Sequence, residues 1–291
     1  MKKNRVAASV LALSLCLSLA ACSGGTSTTP APEETTPAET VPAETTPAET
    51  PSMESDLAYI QDKGTLVVGI TEFEPMDYQD AEGNWIGFDA DMAKAFGESL
   101  GVDVEFQIID WDNKIFELEG KTIDVVWNGM TLTDEVLSAM ECSNAYCNNA
   151  QVVVVPADQA DQYQDVDSLT GLTFAVESGS AGQQQAQENG FSFNEVIDQA
   201  TALLEVSSGT SDAAIIDSLM AGAMVGEGTS YDNLTYTVTL NADEGEQYGV
   251  GFRKGSDLAV ALNEFFSSSY ADGTMMTIAE TYGVQAAIIP Q

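Results

Sequence analysis

The chain has 291 residues, of which 46 are Asp or Glu, nine are Lys or Arg and none is His, so its formal net charge at pH 7 is −37. Such an acidic surface repels phosphates, and we expect no nucleic-acid partner. The absence of His excludes Ser-His-Asp catalysis, Cys-His catalysis and His-dependent metal sites, and we expect neither a cofactor nor a bound metal.

The N-terminal residues have the pattern of a cleaved leader. Basic residues within the first five positions precede an apolar run over residues 6–19, which is too short to span a membrane comfortably. The run closes on Leu19-Ala-Ala-Cys22, which resembles a bacterial lipobox. We therefore expect residues 1–21 to be a lipoprotein signal peptide, Cys22 to be lipidated, and the mature protein to be anchored by lipid to the outside of the cell membrane. The alternative is an ordinary signal peptide with an incidental Cys.

The segment 22–55 has the composition of a disordered tether. It consists almost entirely of Ser, Gly, Thr, Pro, Ala and Glu, and Thr-Thr-Pro-Ala-Glu-Thr occurs at 35–40 and again at 45–50. So few large apolar residues cannot offset the entropy of ordering the segment. We expect the folded body to begin at residue 56, and no apolar run beyond that point approaches membrane-spanning length.

Strand and helix signals alternate through the first part of the body. Runs rich in β-branched residues bounded by Gly predict strands, and apolar residues at helical spacing before Gly predict helices. The predicted elements are a strand at 64–70, a turn at 80–84, a helix from 87 to 101, a strand at 102–109, a helix at 115–118, a strand at 123–127 and a loop at 128–131.

A second α/β unit follows a strand at 151–156, which we interpret as a crossover between lobes. Its predicted elements are a strand at 172–176, a helix entered through 178–182, a strand at 213–216, a return crossover strand at 248–252, and helices at 256–269 and 274–281. The alternation predicts an α/β fold with largely parallel sheets. We expect one lobe to comprise 56–151 plus 250–291 and the other 152–249.

Two cysteines remain in the body, Cys142 and Cys147. Outside the cell they could form a disulfide, which would stabilise a loop this short by roughly 2 kcal/mol. Two free thiols are the equal alternative, and two Cys without His are a weak metal signal.

Several short motifs, each weak alone, occur in a specific order over residues 60–284. Together they resemble the family 3 solute-binding proteins, the polar amino-acid receptors of ABC importers. The resemblance implies a two-lobed, type II periplasmic-binding-protein-like fold, with two crossover strands as its hinge. It also implies a monomer that delivers a small solute to a membrane permease. The motifs are Gly64-x-Leu-x-Val-Gly69, Gly87-Phe-Asp-x-Asp91, Gly120-Lys-x-x-Asp124, Gly129-Met-Thr-x-Thr133, Val176-x-Ser-Gly179, Asp212 with Asp217, Gly251-x-x-Lys-Gly255 and Asp272-Gly-Thr274.

In the first lobe the resemblance implies that two aromatic side chains, Phe73 and Trp111, sandwich the ligand. It also implies that backbone N–H groups of Gly129 and Met130, together with the Thr131 hydroxyl, bind an α-carboxylate. A Trp at the end of a strand could instead be a core residue.

In the second lobe the resemblance implies that Ser180 and the amide of Ala181 open a helix whose N-terminus suits an anion. It further implies that Asp217 binds the α-ammonium of the ligand. The alternative for Asp217 is a plain helix N-cap.

One departure from the family pattern changes the expected ligand. The family has Thr-x-Glu-Arg where this chain has Thr133-Asp-Glu-Val136, and the Arg would clamp the carboxylate. The body has a single Arg, at a predicted crossover, so we expect a pocket without a cation. Three acids, Glu72, Glu74 and Glu177, are expected at the pocket instead, although the first two could be solvated loop residues. A cationic amino acid or amine is the predicted ligand class.

We expect a binding protein and not an enzyme. The alternatives are an enzyme on the same fold, a dehydratase or lyase with Glu177 or Glu72 as general acid, and an extracellular ligand sensor.

Overall fold

The computed structural model describes residues 55–240 and 245–291. The predicted leader, Cys22 and nearly all of the tether lie outside the described residues. None of the helices in the described ranges combines the length and the apolar character needed to cross a membrane.

Strands and helices alternate as expected for an α/β protein. The strands in chain order are β1 (Thr65–Ile70), β2 (Tyr78–Gln79), β3 (Trp85–Ile86), β4 (Asp103–Ile108), β5 (Val125–Thr131), β6 (Glu141–Cys142), β7 (Cys147–Asn148), β8 (Gln151–Pro156), β9 (Thr173–Glu177), β10 (Ser192–Val196), β11 (Ala213–Asp217), β12 (Leu234–Thr239) and β13 (Gln247–Phe252). The helices are α1 (Asp56–Lys63), α2 (Phe88–Leu100), α3 (Lys114–Glu119), α4 (Asp134–Ala139), α5 (Ala181–Glu188), α6 (Gln199–Ser208), α7 (Ser218–Met224), α8 (Leu258–Asp272) and α9 (Thr274–Thr281).

Two main sheets define two lobes. The sheet of the first lobe has the order β4-β1-β5-β13-β6, with β7 also paired to β13, and the sheet of the second lobe has the order β10-β9-β11-β8-β12. Each sheet is mixed and not largely parallel as predicted. In the first, β13 runs antiparallel to its neighbours, and in the second β8 does. Strand β8 is the first strand after the chain enters the second lobe, and β13 is the first after it returns to the first lobe. The strand that follows each crossing is therefore antiparallel to its neighbours.

The lobe boundaries predicted at 151/152 and 249/250 stay predictions. All of β8, from Gln151, pairs within the second sheet, and β13 pairs within the first sheet from Gln247 onward.

The glycine that opens α2 is required by close backbone packing. Gly87 has a φ of 125°, and a Cβ there would lie 2.1 Å from the carbonyl oxygen of Met76. That carbonyl accepts the N–H groups of Asp89 and Ala90, which anchors the first turn of the helix. The Gly-Phe-Asp motif therefore places the Asp89 side chain in the interior of the first lobe.

The loop predicted at 128–131 is wrong, because β5 continues through Thr131. Antiparallel pairing with β13, which sets Met130 opposite Gly249, supplies the hydrogen bonds that extend the strand. The partner strand is more than a hundred positions away in sequence, so no local sequence signal predicts that β5 continues this far. Strand β10, which was not among the predicted elements, lies parallel to β9 at the edge of the second sheet.

Cys142 and Cys147 are free thiols. Cys142 is paired with Gly251 of β13 and Cys147 with Tyr248, three residues away on the same strand. That offset corresponds to about 10 Å along a strand, beyond the separation of under 7 Å that a disulfide tolerates between Cα atoms. Burial raises the pKa of both thiols, that of Cys142 to about 11.

Candidate ligand-binding site

A cavity of about 590 Å³ lies between the lobes. Both lobes contribute to its wall, as a solute-binding cleft requires. The predicted site residues that line it are Phe73, Trp111, Gly129, Met130, Thr131, Glu177, Ser180, Ala181 and Asp217.

Glu72 and Glu74 are not among the residues that line this cavity. Both are partly exposed, and burial raises the pKa of each. The negative charge of Asp198, in the second lobe, raises the pKa of Glu72 further. A direct role for Glu72 and Glu74 in binding stays a prediction.

Asp217 ends β11 and is held by four side-chain donors. Its carboxylate accepts hydrogen bonds from Gln151 Nε2 and the Tyr248 hydroxyl, each at 2.9 Å, and from the amides of Asn149 and Gln199. Although Asp217 occupies the N-cap position of α7, its side chain makes no capping hydrogen bond. The carboxylate is therefore positioned by neighbours on several elements and does not serve as a cap.

A second acid lies behind Asp217. The Glu246 carboxylate accepts from Gln151 Nε2 at 2.9 Å and from the Thr131 hydroxyl at 2.9 Å. Burial raises the pKa of Asp217 to about 7, and the nearby Glu246 charge adds to the shift. The Thr131 hydroxyl proton, expected to bind a carboxylate of the ligand, is donated to Glu246 in this structure.

The floor of the cavity is shaped by Gly129. Its N–H, expected to bind the ligand, donates instead to Asp89 Oδ2 at 2.7 Å. Gly129 has a φ of 53°, and a Cβ there would lie 2.2 Å from the Phe73 ring. Glycine at this position thus lets the Phe73 ring lie directly against the backbone. The Phe73 ring also packs edge-to-face with the Tyr248 ring, at 6.3 Å between the ring centroids.

Glu177 ends β9 with its side chain in the cavity wall. The residue is 3% exposed, and its Oε1 has no hydrogen-bond partner. Burial raises its pKa to about 8, with smaller contributions from the charges of Asp217 and Asp198. The group is therefore largely protonated at neutral pH when no cation accompanies it.

The expectation of a pocket without a cation is wrong. Lys114, the first residue of α3, lines the cavity and is only 7% exposed. Its Nζ donates to the Gly179 carbonyl of the second lobe at 2.9 Å and to the Trp111 carbonyl at 3.2 Å, and it lies 4.9 Å from the centroid of the Trp111 ring. Arg253 lies elsewhere, since it forms an ion pair with Asp56.

The start of α5 contributes backbone donors. Ser180 is the N-cap, and its hydroxyl accepts from the Gln183 N–H at 3.1 Å. Gly182 packs against β11, where a Cβ would lie 2.8 Å from the Ile215 carbonyl oxygen. This close approach brings the positive end of the eight-residue helix to the cavity.

The profile of the bacterial extracellular solute-binding proteins, family 3, matches residues 66–285. The chain belongs to this family. Among its relatives, the L-cystine-binding protein TcyJ of Escherichia coli (strain K12) is 28% identical over 79% of this chain and 86% of that protein.

Solved structures of related proteins have the same two-lobed fold, which confirms the predicted architecture. A mutant of ArgBP from T. maritima is 30% identical, with a TM-score of 0.72 over 78% of this chain and 98% of that one. An ABC uptake transporter substrate-binding protein from Streptococcus pneumoniae with bound histidine is 29% identical, with a TM-score of 0.73 over 80% and 98% of the two chains. A more distant relative is an enzyme, the cyclohexadienyl dehydratase of Pseudomonas aeruginosa, at 24% identity over 58% of this chain and 65% of that protein.

Sequence reasoning missed several residues of this family 3 protein that shape the site. Lys114 follows Trp111 by three positions, a spacing that places two side chains on one side of a helical turn. That spacing could have indicated a shared environment. The amides and the acid that surround Asp217 come from separate elements, and no sequence signal links them; they are Asn149, Gln151, Gln199 and Glu246. Across the described ranges, no group of three or more His, Cys, Asp or Glu is arranged to hold a metal ion.

Proposed function

We propose that this chain is the substrate-binding subunit of an ABC importer and captures an amino acid or a related small amine between its lobes. The observation that carries the proposal is the Asp217 carboxylate, which is 5% exposed, lines the cavity and is held by four side-chain donors. A buried acid positioned so firmly suits a ligand ammonium, which would also favour its ionised form.

The relatives support an amino acid as the ligand. Relatives are described as binding L-cystine (TcyJ), arginine (a truncated form of ArgBP from T. maritima) and histidine (the Streptococcus pneumoniae protein), which share an α-ammonium and an α-carboxylate. The side chains of these ligands differ, so the α-ammonium and the α-carboxylate are the groups that all of these proteins could recognise. In this chain Asp217 would bind the ammonium, and Phe73 and Trp111 would cover the faces of the ligand.

We further propose that the protein is a lipoprotein attached to the cell membrane through Cys22. The lipobox-like residues 19–22 and the Thr- and Pro-rich segment after them support a lipid anchor with an extended tether. A tethered receptor stays close to its permease, which raises the effective concentration of the ligand-loaded form.

No enzymatic function is proposed. The dehydratase relative covers a smaller share of this chain than the binding proteins do.

Isothermal titration calorimetry tests the function. The full-length protein is titrated with amino acids and small amines, and the Asp217→Asn variant is compared with Asp232→Asn, which changes an exposed acid outside the cavity. Loss of the Asp217 charge should weaken binding by about 2–5 kcal/mol, as for a truncated buried charge pair. The proposal fails if no probe binds the wild type, or if Asp217→Asn binds as tightly as Asp232→Asn.

A further inference from the structure

Lys114 is the only basic residue in the cavity wall formed by the described residues. Its ammonium donates to two backbone carbonyls and takes part in none of the ion pairs found in those parts of the chain. Three acids act on it electrostatically, Glu177, Glu135 and Asp112, but they lie beyond ion-pair distance. Burial lowers the pKa of Lys114 in spite of these acids, so an anion within ion-pair distance would stabilise its charged form.

The surroundings of this ammonium suit a carboxylate. The carbonyl that Lys114 contacts in the second lobe belongs to Gly179, two residues before the first residue of α5. The first turn of α5, whose leading N–H groups have no acceptor within the helix, therefore begins close to the lysine. Val136, where the family pattern has Arg, lines the same cavity and is 4% exposed. Lys114 on α3 is therefore the lining residue, among those described, that can place a positive charge opposite a carboxylate.

We propose that Lys114 binds the carboxylate of the ligand. The inference rests on the proposed function, because it takes Asp217 as the partner of the ligand ammonium. It narrows the substrate class to amino acids with a free carboxylate, since a plain amine would leave Lys114 buried without a counterion. Lys114 would also couple binding to lobe closure, because its ammonium contacts both the ligand and Gly179.

Matched pairs of probes that differ only in the carboxylate test this role. Calorimetry on the full-length chain compares L-arginine with agmatine, L-lysine with cadaverine, and L-histidine with histamine. The wild type should bind at least one amino acid about 30-fold or more tightly than its decarboxylated counterpart, the minimum expected for a buried charge pair. Lys114→Met should abolish this preference while the affinity for the amine changes little, and Lys114→Arg should keep the preference.

Lys254→Met is the matched control. Lys254 also donates to two backbone carbonyls, those of Leu137 and Met140, but lies outside the cavity wall. It should leave both affinities unchanged. Thermal unfolding of the ligand-free variants verifies that each is folded.

Two results would overturn the assignment of Lys114. The first is a wild type that binds an amine as tightly as the corresponding amino acid. The second is a Lys114→Met variant whose affinity falls by the same factor for both, which would make Lys114 only a contact between the lobes. The Asp217→Asn variant separates failure of this assignment from failure of the proposed function. If that variant binds neither an amino acid nor the corresponding amine, the ammonium site at Asp217 is upheld, whatever the result for Lys114. If the wild type binds neither these six probes nor any member of the wider panel of amino acids and amines, both proposals fall.

Discussion

The backbone nitrogen of Gly129 donates a hydrogen bond to Asp89 Oδ2 at 2.7 Å, so the floor of the cavity is held by an acid buried beneath it. The same oxygen accepts from the Tyr146 hydroxyl at 2.7 Å. Asp77, equally buried, accepts from Asn128 Nδ2 at 2.8 Å, and Asn128 lines the cavity. One oxygen of each acid has no hydrogen-bond partner. Two buried acids therefore support the ligand-facing surface with incomplete hydrogen bonding.

Replacing Asp77 by Asn should stabilise the ligand-free protein at alkaline pH. Burial raises the pKa of Asp77 well above its usual range, and the charge of Asp89 raises it further. Because the folded state holds this proton more tightly than the unfolded state, the wild type loses stability as pH rises above about 4. The advantage of Asp77→Asn should grow by up to about 1.4 kcal/mol per pH unit, the limit for one proton.

Guanidinium unfolding of both proteins at pH 5 and pH 8 measures the difference. Asp80→Asn serves as a control, because hydrogen bonds from Asn84 lower the pKa of that exposed acid. An advantage of Asp77→Asn that is the same at both pH values would contradict the argument.

The affinity for a cationic ligand should rise with pH between about 6 and 8.5. Burial raises the pKa of Glu177 to about 8 and that of Asp217 to about 7, so both acids hold protons that a bound cation would displace. Each proton released on binding increases the affinity by up to about tenfold per pH unit. Calorimetry with L-arginine at pH 6, 7 and 8 measures the slope. Glu177→Gln should flatten it, and a wild-type affinity that is constant over this range would contradict the proton displacement.

The sequence predicted most strands and helices because their signals are local. The β-branched run of β1 lies between glycines, and α2 ends at Gly101 in the left-handed conformation. The burial of Lys114 had no such signal. Its acceptor in the second lobe, the Gly179 carbonyl, lies 65 positions further along the chain, and only the approach of the lobes encloses the ammonium. Asp217 was recognised from its place at a strand end, but the amides that hold it could not be predicted.

Substitution of Cys22 by Ser should release the protein from the membrane. The lipobox-like residues 19–22 require the thiol as the site of lipid attachment, and a serine hydroxyl offers no sulfur for the thioether. Metabolic labelling with a radioactive fatty acid, followed by membrane fractionation, reports on both properties. Cys142→Ser, which removes a thiol of the folded body, should stay labelled and membrane-bound. A Cys22→Ser protein that is still labelled and sediments with membranes would show that the anchor lies elsewhere.

Basic amino acids should compete better for the cavity than acidic ones, and Val136→Arg should reduce this preference. The buried acids Glu177 and Asp217 line the cavity with Lys114 as the one basic group among the described lining residues, so a second ligand cation is favoured over a second carboxylate. The aromatic faces of Phe73 and Trp111 also favour cations. An Arg at position 136 would extend from α4 into the same cavity. It would repel a cationic side chain of the ligand and attract a carboxylate.

Competition binding with L-lysine, L-arginine, spermidine, L-glutamine and L-glutamate measures the order of affinities. Leu137→Arg, on the exposed face of α4, is the control. Tight binding of L-glutamate by the wild type would contradict the preference, because its second carboxylate would then lie among the buried acids without a matching cation.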